Sequence, residues 1–255
     1  MDAHDWEQVE SSEAAARAVK AGRRGEPADT QRSFMPAADY FGIFVHAAAV
    51  THPCHRVGGD FFDYVDTGWE FHILLGDVCG KGTAAALQAA LVQGMLAAEL
   101  ETGAGPATVV AQLNRTLCRR GTGERFVTLF YGVMTRDDRL TYCNAGHCRP
   151  MLVTPSEVRR LSVGGLPPGL FAQAQYQEES LEIGAGDTLV VFSDGISEAT
   201  SRNQQFGDAR IQQIVTTHTG GTVSAILERL MSGARDFSHG RQRDDMTVLV
   251  ARYLA

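Results

Sequence analysis

The order in which apolar segments follow one another constrains this 255-residue chain more than any other feature. Runs rich in β-branched and aromatic residues come first, at Phe41–Val50, Val57–Val65 and Trp69–Leu75, the last two parted by the turn Asp66-Thr67-Gly68. Two helical periods follow. The first opens near Thr83, with Leu87, Leu91, Met95 and Leu100 expected on its buried face, and stops before Gly103. The second, Pro106–Arg119, carries its proline in the first turn and turns Val109, Val110, Leu113 and Leu117 inward. Strand character returns at Phe126–Met134, Leu140–Asn144, Met151–Thr154, Val158–Leu161, Leu181–Ile183 and Thr188–Ser193. Helices are expected at about Asp208–Thr217 and Val223–Ser238, and the chain closes on the strand Met246–Tyr253. Strands in runs, a helical pair, more strands and a second helical pair do not alternate as βαβ units. The pattern predicts an α+β fold of layered antiparallel sheets.

The N-terminal stretch is different. Asp5–Ala21 is rich in Ala, Glu and Lys and is expected to be helical, but its apolar stripe is only Trp6, Val9 and Val19. That face suits a partner or a second subunit better than a core. A break follows at Arg23-Arg24-Gly25-Glu26-Pro27, then a short helical stretch from Ala28 to Met35, ended by Pro36. Residues 1–38 thus read as a regulatory or dimerisation segment or linker, and residues 39–255 as one catalytic-sized domain.

Composition excludes several classes. A formal charge of -7 gives no general attraction to nucleic acid or anionic membrane. Five cysteines, with no C-x-x-C pair, argue against a disulfide framework or a structural zinc site. No signal-peptide pattern and no apolar run of membrane-spanning length is read, so a cytoplasmic protein without membrane insertion is expected.

Chemistry concentrates where apolar strands break into Gly and Asp: Gly58-Gly59-Asp60-Phe61-Phe62-Asp63, Gly76-Asp77-Val78-Cys79-Gly80-Lys81-Gly82, Ser193-Asp194-Gly195 and Arg243-Asp244-Asp245-Met246. Aspartate is disfavoured in strands and costly to bury alone. Four such breaks therefore suggest one shared acidic pocket of hard oxygen ligands, suited to Mg²⁺ or Mn²⁺. Gly80-Lys81-Gly82-Thr83 is not a Walker loop, because Gly82 separates Lys81 from Thr83; Thr83 is expected to cap the next helix. His46, His52 and His55 are expected in a surface loop, and His147 in a structural hydrogen bond.

In its ordered set of motifs the chain resembles the SpoIIE/RsbU-like branch of the PPM metal-dependent protein serine/threonine phosphatases. The resemblance runs from Gln31-Arg32-Ser33-Phe34-Met35-Pro36 through the four acidic segments, Phe126-Val127-Thr128-Leu129, Asn144-Ala145-Gly146-His147, Gly165-Leu166-Pro167-Pro168-Gly169 and Gly186-Asp187 to Asp244-Asp245-Met246-Thr247. It implies a central antiparallel β-sandwich flanked by helical layers, with a site for two divalent cations, Mn²⁺ or Mg²⁺. It assigns these to Asp60, Asp77, the backbone carbonyl of Val78, Asp194 and Asp244, with Asp63, Gly80, Lys81 and Asp245 in support. The implied activity is hydrolysis of phosphoserine or phosphothreonine by a metal-activated water. The substrate would be a phosphorylated regulatory protein such as an anti-sigma-factor antagonist, and a sensor or second copy would engage the N-terminal helix. Two departures stand out. Cys79 occupies the position where eukaryotic relatives carry a histidine, which makes sensitivity to oxidation a question, and only Arg56 and Lys81 offer themselves for the phosphate-binding arginine of those relatives. The competing readings are a docking module that keeps the fold without catalysis, and a different metal-dependent phosphate-ester hydrolase.

Overall fold

The computed structural model describes residues 26–100, 102–120 and 126–255; the expected helix at 5–21 lies outside them. The chain begins with α1 (Pro27–Ser33), β1 (Asp39–Phe41), β2 (Val45–His52), β3 (Asp60–Asp66) and β4 (Glu70–Val78). The first helical pair is α2 (Thr83–Leu100) and α3 (Pro106–Arg120). Six strands follow: β5 (Val127–Thr135), β6 (Arg139–Ala145), β7 (Met151–Val153), β8 (Val158–Arg160), β9 (Gly164–Gly165) and β10 (Glu179–Glu182). After β11 (Thr188–Phe192) come the short α4 (Asp194–Ser197), the hairpin β12 (Thr200–Ser201) and β13 (Gln204–Gln205), α5 (Gly207–Thr217), α6 (Val223–Phe237) and β14 (Met246–Tyr253).

Two sheets form. One has the order β1-β2-β14-β11-β7-β8; the other runs β10-β6-β5-β4-β3, with β9 added in parallel to β6. They stack face to face, and each outer face carries one helical pair. Strand side chains alternate between faces, and here both faces are covered, so the strands read as unbroken apolar runs. On β4, Phe71, Ile73 and Leu75 point between the sheets, whereas Leu74 and Val78 point toward α2 and α3. On β14, Leu249, Ala251 and Tyr253 lie between the sheets, and Val248 and Val250 meet α5 and α6. The expected antiparallel sandwich with helical layers is the observed fold.

Helix α2 departs from expectation. Leu87 and Leu91 are exposed, at 70% and 38%, and the buried face is Ala85, Ala89, Val92 and Leu96 together with Gln88 and Gln93. The helix is apolar nearly all round, so periodicity did not mark one side. Small residues take the inward side because α2 lies close over β3, where Ala85 would touch a side chain placed at Gly59. At 18 residues and a mean hydropathy of 1.2, α2 is also long and apolar enough to cross a membrane by length and composition alone, contrary to the reading of the sequence. Its inward face packs into the domain core. Thr83 is already the first helical residue; the first carbonyl to accept is that of Gly82, from Ala86 N–H at 3.0 Å, so the capping position is Gly82.

Candidate metal centre

The alternation that builds the core also builds the site. Between the sheets, inward positions are apolar along most of each strand and turn polar together at one end. On β3 the inward series Tyr64, Phe62 ends at Asp60; on β4, Ile73 and Leu75 end at Asp77. The antiparallel register places Asp60 opposite Asp77. Across the gap, the inward series of β14 ends at Thr247, that of β2 at Thr51, and β11 runs out into Ser193. Thr247 Oγ1 donates to Asp60 Oδ2 at 2.6 Å and lies 2.8 Å from Thr51 Oγ1. Ser193 Oγ donates to the Asp245 carbonyl at 3.2 Å and accepts from Thr247 N–H at 3.0 Å. This band carries Asp194, at the first turn of α4, and Asp244, just ahead of β14.

Asp60, Asp77, Asp194 and Asp244 form one electrostatic cluster. Burial is the largest influence on Asp60 and Asp77, holding both carboxyls above their ordinary range; repulsion from Asp77 adds to Asp60, and repulsion from Asp194 and Asp244 brings Asp77 to about 7. Burial followed by repulsion from Asp244 and Glu198 raises Asp194 to about 6. Its Oδ1 is buried without a hydrogen-bond partner. Asp244 is half exposed and pairs with Lys81 Nζ at 2.7 Å. Crowded carboxylates that resist ionisation, one with an orphaned buried oxygen, fit a site for hard divalent cations.

The supporting residues divide. Asp245 is 4% exposed and faces the backbone: Oδ1 accepts from Cys54 N–H at 2.7 Å, and Oδ2 from Gly59 N–H at 2.7 Å and Asp60 N–H at 3.5 Å. It holds the chain leading into β3, and it also borders the cluster, with a carboxylate oxygen within 4.8 Å of one from Asp244. Two glycines make this possible. A Cβ on Gly58 would lie 2.1 Å from Asp245 Oδ2, and one on Gly195 only 1.9 Å from the Asp245 carbonyl oxygen. The Val78 carbonyl oxygen sits where a Cβ on Gly59 would meet it at 2.7 Å, beside the first acidic segment. Asp63 belongs to the opposite face of β3 from Asp60; burial alone raises it to about 6, and no cluster carboxylate contributes. Gly80, at φ +108°, makes the turn after β4, and Lys81 also donates to the Arg243 carbonyl. Arg56 is exposed and pairs with Glu26.

His46 and His52 lie on β2 rather than in a loop, with only His55 beyond it. His147 is buried; desolvation lowers it to about 4, and Nδ1 lies 2.9 Å from Thr128 Oγ1, opposite Asp77 in the β4–β5 register. It makes the hydrogen bond expected of it, while its Nε2 is buried without a hydrogen-bond partner among the described residues. Several contributors had no assignment from sequence. Thr247 and Thr51 are legible from alternation back along β14 and β2. Cys54, whose sulfur lies within 4.8 Å of carboxylate oxygens of Asp244 and Asp245, carried no signal. Gln31 is the buried residue of the otherwise open α1; its Nε2 donates to Gly58 O at 2.7 Å, and its Oε1 accepts from Gly58 N–H at 3.1 Å. A cleft of about 190 Å³ opens beside the cluster, lined by Asp194, Glu198, Arg241, Arg243 and Asp244 among others.

Residues 67–254 match the family model described as Stage II sporulation protein E (SpoIIE). That span holds Asp77, Val78, Asp194 and Asp244; Asp60 lies just ahead of it, tied to Asp77 by strand register. The chain is 26% identical over 207 residues to the phosphoserine phosphatase RsbU of Bacillus subtilis, covering 80% of this chain and 62% of RsbU, less than two thirds of that relative's length. Among solved structures, the SiaA-PP2C domain of Pseudomonas aeruginosa superposes with a TM-score of 0.75 at 19% identity, covering 94% of this chain and 99% of that one. The catalytic domain of the serine/threonine protein phosphatase PstP, solved in complex with 2 manganese ions, gives 0.62 at 18% identity, covering 83% and 99%. The chain belongs to the SpoIIE family, the PP2C-type (PPM) phosphatase domains related to RsbU and SpoIIE.

Proposed function

We propose that this chain is a metal-dependent protein serine/threonine phosphatase acting on phosphoserine or phosphothreonine of a cytoplasmic regulatory protein, such as an anti-sigma-factor antagonist. The observation that carries the reading is the mouth of the sandwich, where Asp60, Asp77, Asp194 and Asp244 are crowded into one acidic cluster and Asp194 keeps an unpartnered buried oxygen. Those four carboxylates and the Val78 carbonyl would hold two divalent cations, Mn²⁺ or Mg²⁺, the chemistry of the PstP complex supporting that pairing. Bound there, the cations supply an activated water at neutral pH and counter-charge for a phosphoryl group.

The chain's own residues do the rest. Thr247 fixes the Asp60 carboxylate by donating to Oδ2. Asp245 and Gln31 fix the backbone from Gly58 to Asp60 on two sides. Lys81 balances Asp244 at the rim. Arg241 and Arg243 bring positive charge to the adjoining cleft, where an anionic substrate group would enter an otherwise acidic mouth. RsbU's description as a phosphoserine phosphatase supports the substrate class. The helix expected at 5–21 is proposed to engage a sensor or a second copy. A docking module that lost catalysis would have no need to keep four mutually repelling carboxylates crowded at one mouth, which favours the enzyme.

The test is turnover of a phosphoserine-bearing antagonist protein and of p-nitrophenyl phosphate with Mn²⁺ or Mg²⁺. Activity should vanish with chelator, and Asp194→Asn should lose at least about a hundredfold in kcat, a loss of about 2.7 kcal/mol in transition-state stabilisation. Turnover by chelated protein, or by Asp194→Asn at the wild-type rate, overturns the reading.

A further inference from the structure

Beside the mouth lies a surface that the cluster chemistry does not use. Between β9 and β10 the chain runs through Leu166, Pro167, Pro168, Gly169, Leu170 and Phe171. Leu166, Leu170 and Phe171 are 49%, 40% and 54% exposed. An exposed apolar loop is ordinarily held by little, but this one is pinned from beneath. Asn114 of α3, 1% exposed, donates from Nδ2 to the Phe171 carbonyl at 3.0 Å and accepts from Gly169 N–H at 2.8 Å. The Pro168 carbonyl accepts from Val127 N–H at 3.0 Å, and Pro167 packs against Gly146. Two turn bonds, Leu170 N–H to Pro167 O and Ala174 N–H to Phe171 O, close the loop on itself. A rigid backbone therefore presents three apolar side chains to solvent, the arrangement of a preorganised contact.

Charge beside the loop is opposite to that of the whole chain. A groove of about 370 Å³ runs between the loop and α3, lined by Gln112, Arg115, Cys118, Arg119 and Ala172. Arg115 and Arg119 are exposed, Arg120 follows them, and none of the three makes an ion pair among the described residues. The chain as a whole carries -7. The position matters as well. Pro168 continues the sheet beside Val127, and Val127 is paired with Val78. Two strand spacings put the loop about 10 Å from the Val78 backbone. A folded partner with its phosphorylated side chain in the mouth would cover this surface too, since a small domain is wider than that span.

We propose that the Leu166–Phe171 loop and the Arg115–Arg119 edge of α3 form the docking surface for the phosphoprotein substrate, and that they recognise a folded partner whose contact face combines acidic side chains with an apolar depression. This rests on the protein-phosphatase reading above. The apolar loop supplies the anchor, and the arginines select an acidic partner that the rest of the acidic surface would repel.

The experiment uses the whole chain with Mn²⁺, a phosphoserine-bearing anti-sigma-factor antagonist and p-nitrophenyl phosphate. The variants are Leu170→Ser with Phe171→Ser, and Arg115→Glu with Arg119→Glu. Ile43→Ser, 81% exposed at the opposite end of the sandwich, is the control. Each docking pair should raise KM for the phosphoprotein about tenfold or more, with kcat kept within about twofold. Turnover of p-nitrophenyl phosphate reports that the fold and the cluster are intact. Added salt should raise the wild-type KM toward that of the arginine variant. Wild-type KM values in both pairs, or an equal rise in Ile43→Ser, overturn the proposal. If wild type hydrolyses p-nitrophenyl phosphate but not the phosphoprotein, the protein-substrate reading fails and the docking surface falls with it.

Discussion

Asp245 offers the sharpest test of how the site is held, because the resemblance gives it only a supporting role and the structure shows its carboxylate turned toward the backbone. Its oxygens accept from Cys54 N–H and Gly59 N–H, both at 2.7 Å, and it is nearly fully buried. Asp245→Ala leaves the buried Gly59 N–H and the part-buried Cys54 N–H without an acceptor, at about 1–3 kcal/mol each, so a loss of roughly 2–6 kcal/mol is expected. Removing a negative charge next to Asp60 and Asp77 offsets part of this, since Asp245 raises both. Asp245→Asn keeps one carbonyl oxygen but turns an NH₂ group toward the other donor, so about 1–3 kcal/mol is expected.

The measurement is urea denaturation in Mg²⁺, paired with amide hydrogen exchange. Gly59 and Cys54 amides should exchange far faster in Asp245→Ala, whereas Val250, in the middle of β14, should keep its protection. An alanine variant within about 0.5 kcal/mol of wild type, the range of an ordinary surface substitution, with Gly59 still protected, would refute the argument.

Two further outcomes follow from the same geometry. Gln31→Ala removes both hydrogen bonds that α1 makes to Gly58 and should cost roughly 1–3 kcal/mol in denaturant unfolding; Gln31→Glu should not rescue it, because a carboxylate would face the Gly58 carbonyl, and full rescue would count against this account. In metal-free protein, Asp77 at about 7 and Asp194 at about 6 bind protons that the unfolded chain releases near pH 4, so their stabilisation is complete below about pH 4 and is lost as pH rises through 6 to 7. The melting temperature of chelated protein should therefore rise from pH 8 to pH 5, and Mg²⁺ should flatten that slope; a chelated protein that melts higher at pH 8 would contradict it.

Much of the fold was legible because both faces of most central strands are covered. A run such as Met246–Tyr253 has no polar face to blur its ends, and its limits were read without error. α3 was legible for the opposite reason: Val109, Val110, Leu113 and Leu117 stand out against arginines and glutamine on the far side. α2 defeated the same reasoning. With alanines all round and two leucines pointing outward, its sequence holds no contrast, and the inward side is chosen by how closely the helix must approach Gly59 and β3. The four-residue α4 and the two-residue strands β9, β12 and β13 are too short for any period to register.

The site divides along the same line. A shared acidic pocket was legible because four Gly- and Asp-rich segments interrupt or precede apolar strands, whereas picking Asp60, Asp77, Asp194 and Asp244 out of those segments rested on the family resemblance. Their supports were not, because nothing local separates Asp244 from Asp245: adjacent residues of one type, one open to the mouth and pairing with Lys81, the other closed on three backbone N–H groups. What separates them is the path of Cys54–Asp60, 185 to 191 residues earlier in the chain. Asp63 makes the same point within one strand. It stands three residues from Asp60, and an odd separation on a strand means opposite faces, so the motif that joins them in sequence parts them in space. Strand parity, applied to Asp60, Asp77 and Thr247 together, recovers the polar band at the mouth of the sandwich; composition and motif identity alone do not.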